Sequence, residues 1–331
     1  MIDEALRERG WLLADGATGT NLFAMGLVSG EAPEIWNIEH PDRVRRLHQD
    51  FVDAGSDIIL TNSFGGNRRR LALHKMEGRT HELNRLAAQH GRAVADAAGR
   101  RVLVAGSVGP TGDLFVPLGA MTEDEAVEIF VEQMEGLKEG GADVLWIETM
   151  SSFEEIRSAA RAAARVGMPY TVTASFDTAG STMMGIAPVS LIETTTGFDP
   201  APDAIGANCG VGASDLLASI LQMTEARPGA TVIAKGNCGI PQVLGDQIVY
   251  TGTPSLMADY ARLALDAGAK ILGGCCGTTP GHVRAMRQAL EGYQPGERPH
   301  LAKITTVIGP LTAPPPSAAR EERRPRRRPA Q

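Results

Sequence analysis

The chain has 331 residues, 43% hydrophobic and 21% charged, enough for a large buried core and ordinary for a globular enzyme. Its formal net charge is −7 although six Arg face only two Glu from residue 320 onward, so the remainder is more acidic still and nucleic acid is not expected as its main partner. No run approaches the ~18 apolar residues of a membrane span, and the opening MIDEALR has neither a basic lead nor an apolar stretch, so a cytoplasmic protein is expected.

Short apolar runs alternate with amphipathic stretches along the whole chain. Strands are predicted at 11–14, 57–61, 102–106, 144–148, 171–175, 204–207, 231–234 and 270–272, and helices at 41–54, 81–98, 122–139, 153–165, 213–225, 254–267 and 280–290. Several helix-to-strand passages repeat one design, in which a glycine closes a polar helix and a β-rich run follows. Examples are AGSD before Ile58, GGAD before Val144 and AGAK before Ile271. Continuous apolar strands between longer helices signal a parallel sheet buried on both faces. Eight of them predict an α/β fold, a single (β/α)8 TIM barrel, which typically needs roughly 250 residues. A doubly wound open sheet is the runner-up, but the chain lacks both G-x-G-x-x-G and G-x-x-x-x-G-K-[ST]. The barrel is expected over 1–300, and the Pro- and Arg-rich segment 301–331 is expected to be a disordered tail.

In such barrels the site lies at the C-terminal ends of the strands. There the sequence places DGATGTN from Asp15, NSFGGN from Asn62, GPTGD from Gly109, Glu148-Thr149-Met150, Phe176-Asp177, Asn208-Cys209, Asn237-Cys238 and Cys275-Cys276. All four cysteines thus fall on three neighbouring strand ends. That number is too small for a disulfide-stapled secreted scaffold and suits a reducing compartment. Lone cysteines are usually small buried packing residues, but four at one rim favour a metal. Three thiolates suit a tetrahedral zinc whose fourth position stays open for substrate. Cys209, Cys275 and Cys276 are the candidate ligands, because adding Cys238 would close the site. Glycines on both sides of Cys275-Cys276 permit backbone conformations that bring two vicinal sulfurs to one point.

The segments DGATGT from Asp15, GPTG from Gly109, GANC from Gly206 and GGCCGTTP over 273–280 resemble the signatures of homocysteine S-methyltransferases, in order along roughly residues 10–290. The chain is most similar to the bacterial betaine-using branch of that family. The resemblance implies a (β/α)8 barrel with zinc on Cys209, Cys275 and Cys276 and the homocysteine sulfur at the open position. It also implies that the substrate carboxylate meets the backbone N–H groups of Ala17 and Thr18, and that its ammonium meets Glu148 with Asp15 nearby. Asn237 counts among the substrate-binding positions. Zinc would keep the substrate thiol deprotonated for direct attack on a methyl group.

The partners expected are therefore homocysteine and a small methyl donor, and an oligomer is compatible with the sequence. Betaine is the first choice of donor, and a quaternary ammonium favours aromatic faces. Trp36, Phe64, Phe115 and Phe176 fall in strand-end loops and form the candidate donor pocket. The animal betaine enzymes carry an aromatic residue right after the second strand, where this chain has Gly65. Of Arg68, Arg69 and Arg70, three consecutive positions, not all can face inward. S-methylmethionine and a methylcorrinoid on a partner are the alternative donors, and a zinc-storing or redox-sensing barrel is the alternative of another class.

Overall fold

The structure is a computed structural model that describes residues 1–312 apart from 240, 245 and 246, with the backbone only for 241–244 and 247–249. Eight parallel strands form its centre: β1 (Leu12–Leu13), β2 (Ile58–Leu60), β3 (Leu103–Val108), β4 (Val144–Met150), β5 (Tyr170–Ala174), β6 (Ala204–Cys209), β7 (Val232–Gly236) and β8 (Ile271–Gly274). They pair in the order β1-β8-β7-β6-β5-β4-β3-β2. The two ends of that row meet through a bridge between Ala14 and Ile58, flanked by the Asp57 N–H on Leu13 O (2.6 Å) and the Asp15 N–H on Ile58 O (3.0 Å). The sheet is therefore a nearly closed (β/α)8 barrel, as the strand pattern predicts, with strand limits shifted by only a few residues.

Side-chain alternation along the strands divides the core in two. Leu12, Ala14, Ile58, Leu60, Leu103, Ala105, Val144 and Trp146 fill the barrel, where Ile2, Ala5 and Leu6 of the first helix, Ile2–Arg9, join them. Leu13, Ile59, Val104, Leu145 and Ile147 point the other way, into the layer under the helices. The helical ring starts where polar caps allow it: Thr122, Ser152 and Thr253 each accept the N–H three residues on. The N-terminal end of the barrel is fastened by Asp57, whose Oδ2 accepts the Leu13 N–H (3.0 Å) and pairs with Arg287 (3.0 Å), while Arg9 and Arg100 lie 3.9 and 3.6 Å from its Oδ1.

Beyond Ile2–Arg9 and the short helices of the early loops, three elements depart from the sequence reading. A helix, Pro188–Thr195, lies between β5 and β6, and an antiparallel pair, Pro241–Leu244 with Gln247–Tyr250, follows β7. The boundary at 300 is also corrected: Leu301–Val307 is a helix whose Ile304 is fully buried against the helices Ala213–Ala226 and Pro254–Asp266, so the folded body continues past it. Residues 313–331 of the expected tail lie outside the described residues. Among the described residues no helix is long and apolar enough to cross a membrane.

Candidate metal and substrate site

The thiols gather because of how β6 and β8 end. Cys209, the last residue of β6, has φ 62, a left-handed conformation that costs a non-glycine residue roughly 1–2 kcal/mol. It terminates the strand and leaves Cys209 Sγ 3.9 Å from Cys276 Sγ. β7 lies between the two cysteine-bearing strands and fastens them: the Cys275 N–H donates to Gly236 O (2.8 Å), the Cys276 N–H to Asn237 Oδ1 (3.1 Å), and Asn237 Nδ2 to Gly210 O (2.7 Å). Asn208 works similarly. Its Oδ1 accepts the Thr149 N–H (2.9 Å), and its Nδ2 donates to Thr149 Oγ1 (2.7 Å) and reaches Cys275 Sγ at 3.8 Å. That clamp holds Thr149 at φ 63, an outlier for a β-branched residue.

The sulfurs of Cys209, Cys275 and Cys276 all lie within 4.8 Å of one another. A tetrahedral ion about 2.3 Å from each sulfur needs them roughly 3.8 Å apart, so both donor type and spacing fit a metal held by three cysteines. Hydrogen bonds from Cys209, then from Cys275, hold the Cys276 thiol well below its ordinary value. Cys238 stands apart. Its N–H donates to Cys276 O (2.9 Å), but its Sγ turns to Gly252 O (3.4 Å) and burial pushes that thiol up to about 11.

The three cysteines line a cavity of about 480 Å³ at the mouth of the barrel, together with Thr18, Glu34, Phe64, Arg70 and Glu148. Glu148 comes from β4 and accepts Ser107 Oγ at 2.5 Å. Burial, then the charge of Cys275, pushes its carboxyl up to about 7. A soft three-sulfur site and a buried carboxylate therefore share one pocket of small-molecule size.

Residues 12–290, well over half of the chain, match the family described as homocysteine S-methyltransferase. The chain belongs to the homocysteine S-methyltransferase family. It is 28% identical over 320 residues to methionine synthase from Mycobacterium tuberculosis, an alignment that takes in 90% of this chain and 26% of that protein. The chain thus spans about a quarter of the length of the curated relative it matches. Among solved structures, the homocysteine methyltransferase MmuM from Escherichia coli superposes with a TM-score of 0.73 in its metallated form, at 24% identity, over 86% of this chain and 98% of that one. The oxidised form of MmuM gives the same TM-score at 23% identity. These superpositions show the shared fold.

Within this homocysteine S-methyltransferase barrel, the positions expected to meet substrate differ in how free they are. Glu148 and Thr18 line the cavity. Ala17 lines it too, and its N–H donates to Thr278 O (3.1 Å). Asp15 is equally engaged: its Oδ1 accepts Lys235 Nζ (2.8 Å) and its Oδ2 the Leu60 N–H (2.7 Å). Asn237 lends its amide to the two cysteine loops, as described. Of the four aromatic candidates only Phe64 is among the cavity walls. Trp36 is buried under Arg43, 4.9 Å from its ring, Phe115 lines a separate hollow with Leu118 and Phe153, and Phe176 is buried. The sequence reading passed over Lys235 and Glu34. A single lysine inside an otherwise apolar strand was the signal for the first, whereas a glutamate in a loop gives none for the second.

Proposed function

We propose that the chain transfers a methyl group from a small cationic donor to the thiol of L-homocysteine, giving methionine, with zinc held by Cys209, Cys275 and Cys276. One observation carries this reading: three sulfurs within 4.8 Å of one another open into the same cavity as a buried carboxylate, in a chain of this family. Zinc held there supplies an open position that keeps a thiol deprotonated at neutral pH. All four cysteines are free thiols, which suits a reducing compartment such as the cytoplasm.

The chain's own groups do the rest. Glu148, oriented by Ser107, receives the substrate ammonium, while Thr18 at the start of the helix Gly19–Ala24 offers a backbone N–H toward the carboxylate. Asn237 and Asn208 keep the thiols in register. The homocysteine thiolate attacks the methyl carbon in line, so the S–C bond forms as the donor's bond to carbon breaks and its electron pair leaves with the donor. The thiol proton is lost to solvent when the substrate binds, so none moves in this step, and the protein contributes orientation rather than a general base. Betaine is the favoured donor, leaving as dimethylglycine.

Isothermal titration of the zinc-loaded full chain with homocysteine tests the acceptor half, and binding lost in Cys276→Ala is expected. No binding, or binding unchanged in that variant, removes the transferase reading and leaves a zinc-storing or redox barrel. Methionine formation assayed in parallel with betaine, S-methylmethionine and a methylcorrinoid tests the donor. Activity with S-methylmethionine or the methylcorrinoid alone refutes betaine.

A further inference from the structure

The mouth cavity has a second set of charges on its β1–β2 side. Glu34, in the short turn Pro33–Ile35 after β1, is only 4% exposed yet lines the cavity. Its Oε1 accepts the Gly65 N–H at 2.7 Å. Glycine gives this approach room: a Cβ at 65 would lie 3.0 Å from Oε1, and the carboxylate would have to give by a few tenths of an ångström. Among the described residues Oε2 accepts no hydrogen bond from another residue. Burial pushes this carboxyl above its ordinary range in spite of the hydrogen bonds from the Glu34 and Gly65 N–H groups, so its charged form gains from a cation that enters the cavity.

The cation is not supplied by the neighbouring arginines at contact distance. Arg68 pairs with Glu132 (2.6 Å) and Arg69 forks onto Asp113 (2.6 and 2.8 Å). Arg70 makes no ion pair among the described residues, and it lines the cavity close enough for its charge to act on Glu34. Phe23 and Phe64 complete this side. A carboxylate and a guanidinium thus face one cavity without meeting each other.

We propose that Glu34, seated by Gly65, and Arg70 form the methyl-donor seat, with Glu34 facing the onium charge of a small zwitterion and Arg70 its carboxylate. The proposal rests on the methyltransferase reading above and deepens it. Both a quaternary ammonium and a sulfonium amino acid carry this chemistry. The positive charge of either vanishes as the methyl group leaves, so Glu34 stabilises the bound donor more than the transition state. Its loss therefore raises the donor KM, does not lower kcat, and leaves the homocysteine KM nearly unchanged.

The test is titration of the full zinc-loaded chain with betaine, with S-methylmethionine and with 3,3-dimethylbutyrate, the betaine isostere that has carbon in place of the charged nitrogen. Glu34→Gln keeps an acceptor for the Gly65 N–H while removing the charge. The onium compound that binds the wild type should bind Glu34→Gln about tenfold or more weakly, whereas dimethylbutyrate should bind it equally or better. Arg70→Met should weaken all three. Equal onium affinity in Glu34→Gln, parallel loss of the isostere, or no onium binding by the wild type overturns the seat. Onium binding that follows this pattern without methionine formation sinks the transferase reading and leaves the seat standing. Methionine formation with an unchanged donor KM in Glu34→Gln does the reverse.

Discussion

Lys235 is a fully buried ammonium at the floor of the mouth, 2.8 Å from Asp15 Oδ1 and 6.0 Å from the centre of the Trp146 ring. Burial opposes its charge, but Asp15 and Glu148 hold it above its ordinary value. Removing one partner of such a pair strands the other charge, so Lys235→Met should lower the unfolding free energy by about 3–5 kcal/mol. Lys235→Met/Asp15→Asn should recover part of that loss. Denaturant unfolding of the two single variants and the double variant closes the cycle, and strict additivity would contradict the pairing. This lysine also explains why Asp15, which the sequence places at the mouth, is not free for a substrate: its neighbours on β7 and β2 already occupy both carboxylate oxygens. A partner some 220 positions away is not readable from local pattern, whereas the gathering of Cys209, Cys275 and Cys276 was legible because they stand at or just beyond two strand ends with distinctive local signatures.

Elements were legible wherever burial on both faces writes a continuous apolar run. That holds for all eight strands and for the seven long helices, but Leu301–Val307 is only seven residues long and buries Ile304 alone, too little to write a periodic pattern. Ile304→Ala should cost about 3 kcal/mol and lower Tm, and a surface change at Thr306 in the same helix should not. The helix Pro41–Asp53 carries a different liability. His48 within it is buried, its Nε2 has no hydrogen-bond partner among the described residues, and burial, with repulsion from His90 added, lowers its pKa to about 4. Unfolded, the imidazole returns to about 6.5, so between these values the unfolded chain binds more protons. Stability is complete above about pH 6.5 and falls as the pH drops toward 4, by up to about 3 kcal/mol from this residue. Melting curves across that range should show a shallower acid decline in His48→Leu than in the wild type.

At the scale of the molecule the two ends of the barrel have separate duties. The N-terminal end is stitched by Asp57 and three arginines, and the C-terminal end carries the thiols and the cavity. The core does not depend on the mouth, so chelation of bound metal should lower Tm by several degrees while leaving the far-ultraviolet circular dichroism of the folded chain intact. Collapse of that signal on chelation would show instead that the metal organises the fold. The seam between the first and last strands has a consequence for biosynthesis. Asp15 receives the Gly274 N–H (3.0 Å), Thr278 O receives the Ala17 N–H (3.1 Å), and the third thiol belongs to residue 276. While the chain is still emerging from the ribosome, the early mouth loops wait without their counterparts. The three-sulfur grip therefore assembles only after nearly all of the barrel has been synthesised, and an ion can be captured by the finished barrel but not by its nascent halves.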